Sequence, residues 1–119
     1  MATLTVTHSI ALRDYAGKEI IKTLTNSESY TTPNRWLITE VEVADATTDG
    51  LLDLGDVTLV ARMVIMPDKD ISIKIGSAAS TAIIIPANTC LYVAAAAEDE
   101  WYVTNASGDA ANVRIIAVE

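Results

Sequence analysis

Residues 3–13 read TLTVTHSIALR, an almost unbroken alternation of polar and apolar positions. Thr3, Thr5, Thr7, Ser9 and Arg13 fall on one side, and Leu4, Val6, Ile10 and Leu12 on the other. Side chains on a strand change face at every residue, so this is a half-buried β-strand with one wet face. The same period recurs to the last residue. Residues 36–44 set Leu37, Val41 and Val43 against Glu40 and Glu42. Residues 71–75 alternate as Ile-Ser-Ile-Lys-Ile, and 112–118 place Val113, Ile115 and Ala117 together. Residues 57–66 are apolar on both faces apart from Thr58 and Arg62, the mark of a strand central in a sheet or covered on both sides.

Short strands are also expected over 81–85, stopped by Pro86, and over 90–95 and 101–105. Residues 14–24 hold the best helix pattern, with Ile20, Ile21 and Leu24 on one side, but Gly17 and β-branched residues weaken it. A turn at 14–17 and a strand over 18–25 fit better. Residues 26–34, rich in Ser, Thr and Asn, read as a loop, and 45–56 as a polar turn region. About eight or nine strands between turns predict an all-β fold: one antiparallel β-sandwich over residues 1–119, jelly-roll-like.

Composition sharpens this picture. The 119 residues are half hydrophobic, yet there is no Phe and aromatics make up only 5%. The core must come from Ile, Val, Leu, Ala and Met, which favours thin packed sheets over a ring-lined pocket. The formal net charge of −8, with eight scattered Lys and Arg, argues against nucleic acid and against an anionic membrane surface. An acidic surface suits solubility or docking on basic ground. The start MATLTVTH has no basic or apolar leader pattern, so no secretory signal is expected, and no apolar stretch of this sequence reaches the length of a membrane span. The single cysteine, Cys90, excludes an internal disulfide and reads as a buried, inert thiol in an apolar strand.

The second half carries a resemblance. LGDVTLVARMVIMPDKDISIKIGS (54–77) is an apolar strand, an Asp-containing turn and a short strand ending in Gly-Ser. TAIIIPANTCLYVAAAAEDEWYVTNASGDAANVRIIAVE (81–119) adds an Ile-Pro-Ala turn and a closing segment from Trp101 to Ile115. Together, over roughly 54–119, these are similar to small β-sandwich structural proteins of tailed-phage virions. The resemblance implies a capsid cement or decoration subunit, with a tail, neck or fibre-base component as the alternative. It brings no catalytic residues.

Candidate chemistry is thin. Asp45, Asp49, Asp53 and Asp56 with Gly50 approach the spacing of a calcium loop, where oxygens converge about a sharp turn. Thr47 stands where Asp or Asn is expected, Asp56 replaces the long Glu, and the flanks are strands, so an acidic surface turn is the simpler reading. His8, the only histidine, lies on the apolar side of the first strand as a core or rim residue. Glu98, Asp99 and Glu100 form an acidic turn, solvated or docked on a basic neighbour. Asn105-Ala106-Ser107 matches a glycosylation acceptor by accident.

Interface candidates are the flat hydroxyl face of Thr3, Thr5 and Thr7, and the strand-start aromatics Trp36, Trp101 and Tyr102. The aromatics are balanced between anchoring a partner and capping the core. The same rings would be the stacking platforms of a carbohydrate-binding module, the rival function. No catalytic residue, cofactor or metal is assigned, and the chain is expected not to be an enzyme. It is expected to be a homo-oligomer, a trimer by preference, that joins the major capsid protein or other virion proteins and resides in the virion.

Overall fold

The computed structural model describes residues 2–13, 16, 19–32 and 34–119, with side chains at 10–13, 19–25 and 95–96 left aside. The turn expected at 14–17 lies outside the described residues, Ala16 excepted. The chain forms two compact units, Met1–Pro33 and Asn34–Glu119. The described residues contain ten strands and no helix.

The first unit is a two-stranded antiparallel ribbon of β1 (Ala2–Arg13) and β2 (Glu19–Thr32), in register from Ala2↔Thr32 to Ile10↔Leu24. This corrects the loop expected over 26–34. Residues 26–32 are strand, because Ser27, Ser29 and Thr31 alternate with Glu28 and Tyr30 and lie opposite the threonines of β1. An alternation made almost wholly of polar residues leaves no hydropathy signal.

The second unit holds β3 (Trp36–Val43), β4 (Thr47–Leu51), β5 (Val60–Pro67), β6 (Ile71–Ile75), β7 (Ile83–Ile85), β8 (Leu91–Glu98), β9 (Trp101–Asn105) and β10 (Ala111–Val118). Two four-stranded sheets run β3-β10-β5-β8 and β4-β9-β6-β7. Strands mirrored about the β6–β7 connection pair with each other: β6 with β7, β5 with β8, β4 with β9, β3 with β10. A long hairpin folded so that successive pairs fall in alternate sheets is the double-sheet jelly roll. The pairs β10–β5 and β9–β6 then knit each sheet together.

The expected sandwich is therefore found, and it occupies residues 34–119. β5 is central, between β10 and β8, as its two-sided apolar run predicted. The turn expected over 45–56 contains β4, which pairs with β9 through an irregular register. The alternating faces hold: Val113, Ile115 and Ala117 of β10 are buried with Val43, Met63, Ile65, Ile73 and Val103.

Trp101 is the large ring of this core and is 0% exposed. Burying one Trp removes roughly 150–250 Å² from water, or on the order of 4–6 kcal/mol at about 25 cal/mol per Å². Its indole N–H donates to the Glu98 carbonyl at 3.2 Å, which satisfies the one polar atom the ring brings inside.

Candidate binding surfaces

Three regions of the sequence invited a function, and the structure sorts them differently. On the ribbon, Thr3, Thr5 and Thr7 are exposed on one face and each meets a hydroxyl across the strands. The Oγ1 of Thr3 lies 2.9 Å from that of Thr31, and Thr5 and Thr7 lie 3.1 Å from Ser29 and Ser27. Directly opposed hydroxyl pairs contribute roughly 0.2–1 kcal/mol each. The result is a ladder of six uncharged hydroxyls, whose β2 half the sequence reading missed. The opposite face sets Leu4 against Tyr30 and Val6 against Glu28, all half-buried, then the exposed pair His8 and Asn26, and continues in register to Ile10 and Leu24. His8 is thus exposed and outside any core.

The acidic segment 45–56 does not gather its carboxylates. Asp45 Oδ1 accepts the Gly108 N–H at 3.0 Å. Asp49 holds Lys74, Nζ to Oδ1 at 3.0 Å, within β4. Asp53 Oδ1 caps its own turn through the Gly55 N–H at 2.9 Å, and Asp56 contributes its backbone carbonyl to Arg35. Asp49 sits in a strand with an ammonium already on it, so the calcium-loop geometry is overturned. Among the described residues no group of three His, Cys, Asp or Glu could hold a metal ion.

The three aromatics part company. Trp101 points into the core and cannot meet a partner or a sugar, which corrects its place among the interface candidates. Tyr102 follows it on β9 and faces out of that sheet, half-buried. Its hydroxyl donates to Glu100 Oε2 at 2.6 Å. That hydrogen bond, then desolvation and the charges of Glu100, Asp99 and Asp49, raise the phenol above its ordinary value of 10.0. Trp36 is 55% exposed on β3, in the other sheet. Three rings spread over two sheets and the interior make no stacking platform.

Cys90 is also corrected. It is exposed, in the connection between β7 and β8, because the strand begins one residue later at Leu91. Partial desolvation raises its thiol above 9.0. It lines an open depression of about 430 Å³ with Glu40, Asp68, Asn88, Asn112 and Arg114. Asn105 is buried and fully hydrogen-bonded, so the glycosylation match has no accessible acceptor.

The sequence reading also missed Ile38. It stands two residues after Trp36, on the same outward face, and is 68% exposed. It borders a second open depression of about 430 Å³ with Met66, Arg114 and Ile116. The signal was present: Trp36 and Ile38 are apolar at the same parity as Glu40 and Glu42.

The fold and these surfaces define a class, an all-β jelly roll with a two-stranded ribbon. The chain matches no family model, no curated protein and no solved structure.

Proposed function

We propose that this protein is a structural subunit of a tailed-phage virion, a capsid cement or decoration protein that acts by binding and performs no reaction. The observation that carries the reading is the joining of a rigid jelly roll to a ribbon whose exposed face is a ladder of hydroxyls. A two-stranded ribbon is marginal by itself in water, and a flat, uncharged, β-prone face suits laying against another protein. The resemblance of residues 54–119 to virion sandwiches supports the same reading. Its partners are the major capsid protein or other virion proteins, reached as a homo-oligomer that meets at a threefold joint of the shell. Many copies, each with modest contacts, would resist rupture of the shell through multivalency.

The test is mass spectrometry of purified particles, with electron microscopy to place the protein. The expected result is a stoichiometric component on the outer shell, released by Thr5→Lys combined with Thr7→Lys. Absence from every particle overturns the proposal, and density confined to the tail or neck replaces cement with a tail role.

A further inference from the structure

Four strands border the two sheets of the 34–119 unit: β3 and β8 in one, β4 and β7 in the other. A sheet edge offers unpaired N–H and C=O groups, and proteins blunt such edges with short strands, bulges, proline or charge. β7 is three residues long and is followed by Pro86, which has no N–H to offer. β4 has an irregular register between Thr47 and Gly50, with Asp49 at φ 48°. β8 shifts register against β5 between Val60 and Arg62 and carries Ala97 at φ 50°. β3 has none of these devices. It runs in unbroken register with β10 from Trp36↔Val118 to Val43↔Ala111, without Pro or Lys. Its charges, Glu40 and Glu42, lie in its second half.

One hydrogen bond fixes which backbone groups face outward. The Arg35 carbonyl accepts from the Glu119 N–H at 3.0 Å, so residue 35 points toward β10. Direction alternates along an antiparallel strand, so Leu37 and Thr39 also point toward β10, while Trp36, Ile38 and Glu40 present their N–H and C=O to the free edge. Among the described strands none pairs there.

We infer that β3 is a strand-addition edge, and that its occupant is a second copy of this chain, antiparallel about a twofold axis through Leu37. The register follows from the side chains. Centred on Leu37, Trp36 lies opposite Ile38 of the second copy, Ile38 opposite its Trp36, and Glu40 opposite Asn34. Leu37 meets Leu37 on the inner face, where each already packs on its own core. Centred on Ile38, Trp36 instead meets Glu40 and Asn34 meets Glu42. Centred on Thr39, both Trp36 and Ile38 meet carboxylates. The Leu37 register alone of the three covers the exposed apolar pair with its own image and leaves Glu40 facing an uncharged residue. The two four-stranded sheets become one continuous sheet of eight. A twofold contact gives even-numbered assemblies: a dimer, or a hexamer where a threefold joint also forms. This inference goes beyond the virion reading and stands without it.

Native mass spectrometry and sedimentation equilibrium on the full chain test it. The expected result is an even-numbered assembly. Ile38→Pro should weaken it by roughly tenfold or more while keeping the strand-rich circular dichroism, since the N–H it removes faces away from β10. Ile38→Lys should do the same by charge. In a Cys90→Ser background, Leu37→Cys should form an intermolecular disulfide, because facing residues in a non-hydrogen-bonded antiparallel pair have Cα atoms about 4.5 Å apart. Four results would overturn the inference: a monomer at tens of micromolar, an odd-numbered assembly, an even assembly indifferent to both Ile38 variants, or cross-linking by Ile38→Cys in place of Leu37→Cys. None of them depends on whether the protein occurs in a particle.

Discussion

Asn105 gathers several backbone groups on one buried amide, and replacing it should be costly in a way that identifies the cause. The side chain is 0% exposed at the end of β9. Its Nδ2 donates to the carbonyls of Val43 at 3.0 Å, Asp109 at 2.8 Å and Ala44 at 3.3 Å. Its Oδ1 accepts from the Ser107 N–H at 3.1 Å and the Ser107 hydroxyl at 2.7 Å. One amide thus ties the end of β3 to the β9–β10 connection. The Ala44 carbonyl also receives Thr47 Oγ1, and the Asp109 carbonyl receives Ser107 Oγ, so these two keep a donor if the amide is lost. What remains is chiefly the Ser107 N–H and the position the amide filled on the Val43 carbonyl, which still faces Ala111 of β10. At about 1–3 kcal/mol for each stranded buried group, Asn105→Leu should cost on the order of 2–4 kcal/mol.

Asn105→Asp has nearly the same shape and keeps the Ser107 bonds, but it turns an oxygen toward three carbonyls. Burial and those carbonyls disfavour the carboxylate, so its pKa in the folded state should rise above the unfolded value of about 3.9. Between these two values the folded state binds more protons than the unfolded one. Stability is therefore fully present below the unfolded pKa and is lost as pH rises through the folded pKa. Thermal melts by circular dichroism should show Tm lowered by roughly 8–32 °C for Asn105→Leu at about 4–8 °C per kcal/mol, and a loss for Asn105→Asp that deepens from pH 4 to 7. An Asn105→Asp variant that melts within about 3 °C of the parent at every pH would refute the staple.

Three further predictions concern two backbone positions and one carboxyl. Gly108 has φ +93° and open space, with nothing within 4 Å, where an alanine methyl would stand, so Gly108→Ala should cost about 1–2 kcal/mol from the left-handed backbone alone. Gly76, at φ +82°, would also bring its Cβ to 2.8 Å from Glu98 Oε2, so Gly76→Ala should cost at least as much, with the excess removed by Glu98→Ala. Urea melts check both, and a neutral Gly108→Ala ends the argument from φ. The Glu119 carboxyl is held below its ordinary 4.5, first by the Thr58 backbone N–H at 3.1 Å and further by the Thr58 hydroxyl and Arg35, against some desolvation. A depressed folded pKa gives stability that is present above 4.5 and is lost as pH falls through the lower folded value. The Tm difference between the parent and Glu119→Gln should accordingly be constant above pH 4.5 and shrink in acid, and a difference that grows in acid contradicts the assignment.

Period two was enough to reveal the fold, because a jelly roll writes its inward face into every second residue of each strand. β9 was legible to the residue, Trp101 to Asn105, since its buried members Trp101 and Val103 alternate with Tyr102 and Thr104. The pattern falls silent where both faces share one polarity. In β2 the run Ser27 to Thr31 is polar but for Tyr30, and what orders it is a row of hydroxyls on the neighbouring strand. In β4, Thr47 gains its pairing from Asn105 of β9, Asp49 donates its N–H to the Thr104 hydroxyl, and the Asp49 carboxylate is spent on a lysine 25 residues away in sequence. Partners that distant leave no mark on a local pattern, which is also why four aspartates in loop spacing could mimic a cation site.

The exposed surfaces obey a different logic. An alternation says which residues share a face but not whether that face is wet, so Trp36 and Ile38 could be set beside Glu40 and Glu42 while their exposure stayed hidden. Edge or centre is a property of strand order, and strand order depends on β10, some 75 residues later, coming to lie beside β3 and not beyond it. Had β10 taken the other side, Arg35 would point outward and the Trp36–Ile38 pair would carry the internal ladder. The outward N–H groups at Trp36 and Ile38 follow from that one choice of side. The edge itself therefore rests on topology, and the residues that line it are ordinary strand residues with no neighbour among the described strands.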